Sequence, residues 1–121
     1  MRTLLSVALL LGVSSFAHAG STYYVDLVNT AQNSISSFAV APAGSGNFRQ
    51  ASLGNTPLHG GGDSTTIAIR NDDNGCLRDL RTAFADGRVL IQKNFNVCKY
   101  RSYHTGQYLR GHAQTVIASV P

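Results

Sequence analysis

Apolar and polar side chains alternate with a period of two through most of the chain, which predicts strands rather than helices. From Thr22 to Asn29, Tyr23, Val25 and Leu27 share one face while Tyr24 and Asp26 take the other. This run is rich in aromatic and β-branched residues and reads as a first strand. A polar turn over Thr30 to Ser34 leads to a second apolar run, Ile35 to Ala41, which Pro42 ends. Further on, Thr65, Ile67 and Ile69 alternate with Thr66, Ala68 and Arg70, predicting a third strand. The intervening segment from Pro42 to Ser64 is rich in glycine, with a second proline at Pro57. It is long for a structureless loop inside a compact domain, so it is expected either to be functional or to hide a short strand.

The strongest local signal follows. Asp86-Gly87 stands between two apolar-patterned runs, Leu77 to Phe84 and Val89 to Val97, and predicts a hairpin. Along the first arm Leu80, Thr82 and Phe84 alternate with Asp79, Arg81 and Ala83; along the second, Val89 and Ile91 alternate with Leu90 and Gln92. The chain's two cysteines sit symmetrically about the turn, Cys76 eleven residues before Gly87 and Cys98 eleven after. Folding there brings them opposite each other, or within one residue of opposite, depending on loop length and on any bulge. A disulfide would then close the open end of the hairpin. On the chain-entropy argument it contributes about 3 kcal/mol. Two cysteines with no nearby histidine offer too few ligands for a zinc site. Upstream, Asn71-Asp72-Asp73-Asn74-Gly75 is a turn by composition and lacks the spacing and closing glutamate of an EF-hand loop. Near the end, Val116, Ile117 and Val120 suit a last strand or a flap laid over the sheet.

One apolar run does not belong to this pattern. Leu4 to Val13 carries no polar positions at helical spacing, follows Met1-Arg2 and precedes the small-x-small triplet Ala17-His18-Ala19. It is too short for a spanning helix of about 20 residues. The arrangement predicts a signal peptide over residues 1–19, cleavage before Gly20, and a single β-rich domain over residues 20–121 with no transmembrane segment. The expected location is periplasmic or secreted, an oxidising setting in which paired cysteines form a disulfide.

Composition changes the picture in one respect. The chain has no glutamate; ten lysines and arginines face six aspartates. The basic residues gather after Asn74, where Arg78, Arg81, Arg88, Lys93, Lys99, Arg101 and Arg110 meet only Asp79 and Asp86. Such a balance favours anionic partners in general. Within this half, Lys99, Tyr100, Arg101, Tyr103, His104, Tyr108 and Arg110 interleave rings with cations. Sugar- and single-strand-binding surfaces use that interleaving, because rings stack and cations hold phosphates. The same composition also describes an amphipathic tail whose tyrosines cover the edge of the core.

Catalytic signatures are sparse. With no glutamate, the acid and base of a glycosidase would both have to be aspartates, and none sits in an apolar context. Gly44-Ser45-Gly46 lacks the spacing of a nucleophile elbow, and no phosphate-binding or dinucleotide fingerprint is present. His59, His104 and His112 are scattered without metal-ligand spacing. No cofactor is expected.

Phe38, Pro42-Ala43-Gly44-Ser45, Ser52-Leu53-Gly54, Cys76, Asp79-Leu80-Arg81, Phe84, Asp86-Gly87-Arg88 and Asn96-Val97-Cys98 together make a recognisable pattern. It resembles a loosely defined group of small exported bacterial proteins of unknown function that share a C…DLR…F.DG…N.C hairpin preceded by a PxGS…LG loop. The resemblance covers roughly Asn29 to Lys99. It implies an all-β domain in a Gram-negative periplasmic or secreted setting and brings no catalytic residue with it. The fold expected is all-β: a small antiparallel β-sandwich or open barrel of about six or seven strands with one disulfide-stapled hairpin. The function expected is a non-enzymatic binding or interaction module whose surface joins the Pro42 to Ser64 loop to the Lys99 to Arg110 segment. Its partner would be a protein or an anionic envelope component; nucleic acid is not the expected partner. Two rivals stand beside this reading. One is a secreted hydrolase or nuclease using His104 or His112. The other is an inhibitor or toxin-like protein presenting the Asp86-Gly87-Arg88 tip.

Overall fold

Strands form where the alternation places them. The computed structural model of the protein describes residues 22–54, 57–71, 75–111 and 116–118. The elements are β1 (Thr22–Asn29), β2 (Ile35–Pro42), β3 (Arg49–Ala51), β4 (Asp63–Arg70), β5 (Leu77–Phe84), β6 (Arg88–Asn96), β7 (Ser102–His104), α1 (Thr105–Gly111) and β8 (Val116–Ala118). The predicted leader, His112 and most of the Asn71 to Gly75 turn lie outside the described residues.

The strands make two sheets, one ordered β4-β1-β7 and one ordered β3-β2-β5-β6-β8. Neighbours run antiparallel except β1 and β7, which pair in parallel. Between the sheets lies one cluster of buried side chains. Val25 and Leu27 of β1, Ile67 and Ile69 of β4 and Tyr103 of β7 meet Phe38, Leu80, Phe84, Leu90 and Phe95 of the larger sheet. The Tyr103 ring joins the two layers directly, 5.4 Å from Phe95 and 6.3 Å from Phe38 between centroids. Burial of each such side chain is worth about 1.5–3 kcal/mol, and here it holds the two sheets together. The predicted all-β sandwich is the fold observed, and a Cys76–Cys98 disulfide staples the open end of its β5–β6 hairpin.

The hairpin has a three-residue tip. Gly87 donates its N–H to Phe84 O and takes a positive φ of 92°, the left-handed position that such a loop requires. Pairing then slips by one residue between Arg78 and Leu80. The extra residue is accommodated at the β6 bulge around Asn94, a non-glycine residue at φ 56°. That slip brings the cysteines to a Cα separation of 5.3 Å.

Three elements exceed the sequence expectation. The Pro42 to Ser64 segment does hide a strand, β3, and a bridge between Leu58 and Ile35. The tyrosine-rich segment forms β7 and α1, neither of which is visible in the pattern. Both are held by tertiary bonds rather than by local propensity. Asn29, fully buried at the end of β1, accepts from Thr105 Oγ1 and from Ala31 N–H, and donates to Asn33 O and Leu58 O. Gly106 N–H donates to Thr30 Oγ1, and the approach is so close that a Cβ at Gly106 would lie 2.7 Å from Thr30 O.

Candidate functional site

The four strands that end the two sheets are β3, β4, β7 and β8, and the sandwich stacks β3 of one sheet beside β4 of the other. Along that side runs a cleft of about 330 Å³, lined by Val40, Ala41, Pro42, Ala51, Ala68 and Ile69 and by the polar groups of Asn47, Arg49, Gln50, Arg70 and Arg78. A shallower groove continues it past Ser52 and Gly54 toward Thr65 and Thr66. The described residues that line the cleft include no carboxylate.

Each arginine is placed differently. Arg49 and Arg70 are exposed at the ends of β3 and β4, and among the described residues neither makes a side-chain hydrogen bond or ion pair. Arg78 belongs to the inward stripe of β5, in step with Leu80, Thr82 and Phe84, and is buried at 2 % exposure. Its guanidinium donates to Gly75 O at 2.8 Å, Leu77 O at 3.0 Å and Arg70 O at 3.4 Å. It thereby ties the larger sheet to the end of β4 and brings positive charge to the floor of the cleft, where the low dielectric screens it less than at the surface.

The rim is built by β5. Asp79, buried although the pattern assigns it to the solvated face, accepts Gly44 N–H at 3.0 Å through Oδ2 and Asn94 N–H at 3.0 Å through Oδ1. One carboxylate so clasps the β2–β3 loop to the β6 bulge. Arg81 stacks its guanidinium 4.4 Å above the Phe48 ring and holds the same loop from its far end. The loop reverses through positive φ at Gly44 and Gly46, with open space around both. A signal for this site was available: Arg78 is a charged residue on an apolar stripe, a mark of a side chain with buried partners.

The tyrosine-rich segment lies at the other edge of the smaller sheet, where β7 pairs with β1 on the side away from β4. Tyr103, expected on a binding surface, is instead fully buried. The correction has a simple cause: residue 103 alternates inward between exposed Ser102 and His104. Burial pushes the Tyr103 hydroxyl well above the ordinary tyrosine range, and Tyr108 adds to that shift. Tyr103 Oη and Thr82 Oγ1 are both sealed from water, and among the described residues neither makes a hydrogen bond of normal geometry. Tyr108 is half-buried and stacks 4.7 Å from Tyr103, with its own pKa raised by burial. Tyr100 leans against Phe95 at 5.7 Å while remaining exposed, with Lys99 Nζ 5.3 Å from its ring. Lys99, Arg101 and His104 are exposed, and Arg110 lies on α1. These residues are therefore not brought together with the cleft, and most of their ring surface belongs to the core.

The other candidates are accounted for briefly. His59 shares a 3.4 Å contact with Ser34 Oγ, and among the described residues no three of His, Cys, Asp and Glu converge on a point. At the hairpin tip Arg88 turns back on Asp86, with Nε to Oδ2 at 2.8 Å, and Asn33 Nδ2 donates to the same oxygen at 3.0 Å. Asp86 accepts Arg88 N–H as well, which holds its carboxyl below the usual range. The tip is a closed hydrogen-bonded unit rather than an extended arginine. Among the described residues no helix is long and apolar enough to cross a membrane. Comparison with known protein families, with curated proteins and with solved structures finds no match to this chain.

Proposed function

We propose that the protein is an exported, non-enzymatic binding module that takes an anionic partner, a protein segment or an envelope component, in the cleft between β3 and β4. The observation that carries this reading is the placement of the exposed Arg49 and Arg70 on a cavity of about 330 Å³ whose described lining residues include no carboxylate, with Arg78 held at its floor by backbone carbonyls. Two of these arginines are exposed and lack side-chain partners among the described residues, so their binding capacity is unspent. Guanidinium groups suit carboxylate and phosphate because their donors are planar and paired. Export is supported by the leader-like pattern of the first residues and by the disulfide, which persists in oxidising compartments. Kinship with small exported proteins carrying a C…DLR…F.DG…N.C hairpin forms part of the same proposal.

The test is an NMR titration of the oxidised protein with tripolyphosphate and with an aspartate-rich hexapeptide, repeated at rising salt. Shifts are expected at Arg49, Gln50, Ala68 and Arg70, weakening with salt, and a double variant Arg49→Ala, Arg70→Ala should lose them. Shifts centred on Lys99 to His104 instead, or an unaffected double variant, would overturn the assignment.

A further inference from the structure

Unpaired strand edges invite pairing with other chains, and small sheets guard them by shortness, charge, proline or bulges. Here three of the four sheet-ending strands, β3, β7 and β8, are only three residues long, while β4 has eight. On the longer inner strand β6, the stretch beyond its pairing with β8 carries Lys93 and the irregular Asn94. Among the described residues, the middle of the β4 edge has no such guard. Its pairing with β1 is continuous from Asp63 to Arg70 without a register shift, and Ser64 to Ile69 contains neither a charge nor a proline. Among the described residues no strand pairs with its outer side.

The direction of its backbone groups can be worked out. Asp26 N–H donates to Arg101 O on the β7 side of β1, so it points away from β4. Asp26 and Thr66 therefore form a non-hydrogen-bonded pair, and Thr66 turns its own N–H and C=O outward. The period of two extends this to Ser64, Ala68 and Arg70. The Arg78 bond to Arg70 O agrees with that direction. Three residues in sequence, Ser64, Thr66 and Ala68, thus offer an N–H and C=O each to an incoming strand, and Thr66 and Ala68 border the groove.

We infer that the protein binds an extended peptide segment as an added antiparallel strand on β4, with acidic residues at the segment's N-terminal end. This inference rests on the anion-binding reading of the cleft and specifies its ligand. Antiparallel addition places the segment's N-terminal end beside Arg70 and its C-terminal end beside Asp63, so charge complementarity fixes where its acidic residues fall. Its inward side chains would cover Ala51, Val40 and Ile69, and are therefore apolar in alternation. Main-chain bonds supply affinity in this mode of recognition, and the side-chain contacts supply specificity.

A fluorescein-labelled octapeptide, Asp-Asp-Val-Thr-Val-Thr-Val-Ser, serves as the probe against the full-length oxidised protein, with the reversed sequence as control. Anisotropy should show the forward peptide binding at least about tenfold more tightly than the reversed one. Amide exchange by NMR should show new protection at Ser64, Thr66 and Ala68. Ser64→Pro, at a residue that does not line the cleft, removes an outward N–H while leaving the β1 ladder intact, and should weaken peptide binding severalfold but not tripolyphosphate binding. Equal affinity for the two peptides, or protection absent from β4, would overturn the inference, and either can be read on the wild-type protein alone. Tripolyphosphate bound while β4 gains no protection with peptide refutes strand addition but leaves the anion cleft standing. If neither probe binds, both readings fall.

Discussion

Tyr103 provides a quantitative test of how the core is built. Its side chain is wholly buried, its hydroxyl lacks a hydrogen bond of normal geometry among the described residues, and burial raises its pKa. Below the ordinary tyrosine value of 10.0 both folded and unfolded chains keep the proton, so this group contributes nothing to pH dependence there. Above it the unfolded chain releases the proton and the folded one does not. Folded protein then holds more protons than unfolded, and stability falls as pH rises, by about 1.4 kcal/mol for each pH unit until the raised folded value is reached. Tyr103→Phe removes the group from that linkage. At pH 7 the variant should lie within about 1 kcal/mol of wild type, because the hydroxyl it deletes is unsatisfied and the ring contacts with Phe38 and Phe95 remain. Urea unfolding of both proteins at pH 7, 10 and 11, disulfide intact, is the assay. The stability curves should converge near neutrality and separate above pH 10, with the variant the more stable. Tyr108 remains in both proteins and gives each a residual loss of the same sign. Parallel alkaline losses, or a variant destabilised at pH 7 by several kcal/mol, would refute the account of Tyr103 as a packing ring with a stranded hydroxyl.

The other predictions are more local. Removing both sulfurs as Cys76→Ala, Cys98→Ala opens a loop with a sequence separation of 22 and should lower stability by about 3 kcal/mol, measured as a shift in the urea midpoint with the β5–β6 amides still protected. A loss of β5–β6 protection throughout would show that the hairpin depends on its staple rather than on its packing. Asn29→Ala strands Thr105 Oγ1, Ala31 N–H and two carbonyls in one step and should cost about 3 kcal/mol or more. Its signature is loss of amide protection at β7 and α1 before the rest of the sandwich, and a uniform loss would count against Asn29 as the anchor of that segment.

Much of the fold was legible because it rests on local rules. Period-two alternation, Pro42 and Asp86-Gly87 mark β1, β2, β4, β5 and β6 closely, and the symmetric cysteines anticipate the disulfide. The candidate site was much less legible. Charge counting pointed to the C-terminal half, yet Arg49 and Arg70 come from the more acidic N-terminal half and meet only because β3 and β4 end different sheets on the same side. Ring-and-cation composition pointed to Tyr103 and Tyr108, but composition does not say which way a ring faces once a three-residue strand crosses to the other sheet.

The sequence alone determined what nearest neighbours along the chain can impose: which runs extend, where they turn, and which sulfurs meet. Only the tertiary structure decided which edge is left unpaired, which arginine is drawn inside and which tyrosines become core. Those outcomes depend on the stacking of one sheet on another, and the burial that drives stacking is a property of surfaces assembled from distant segments.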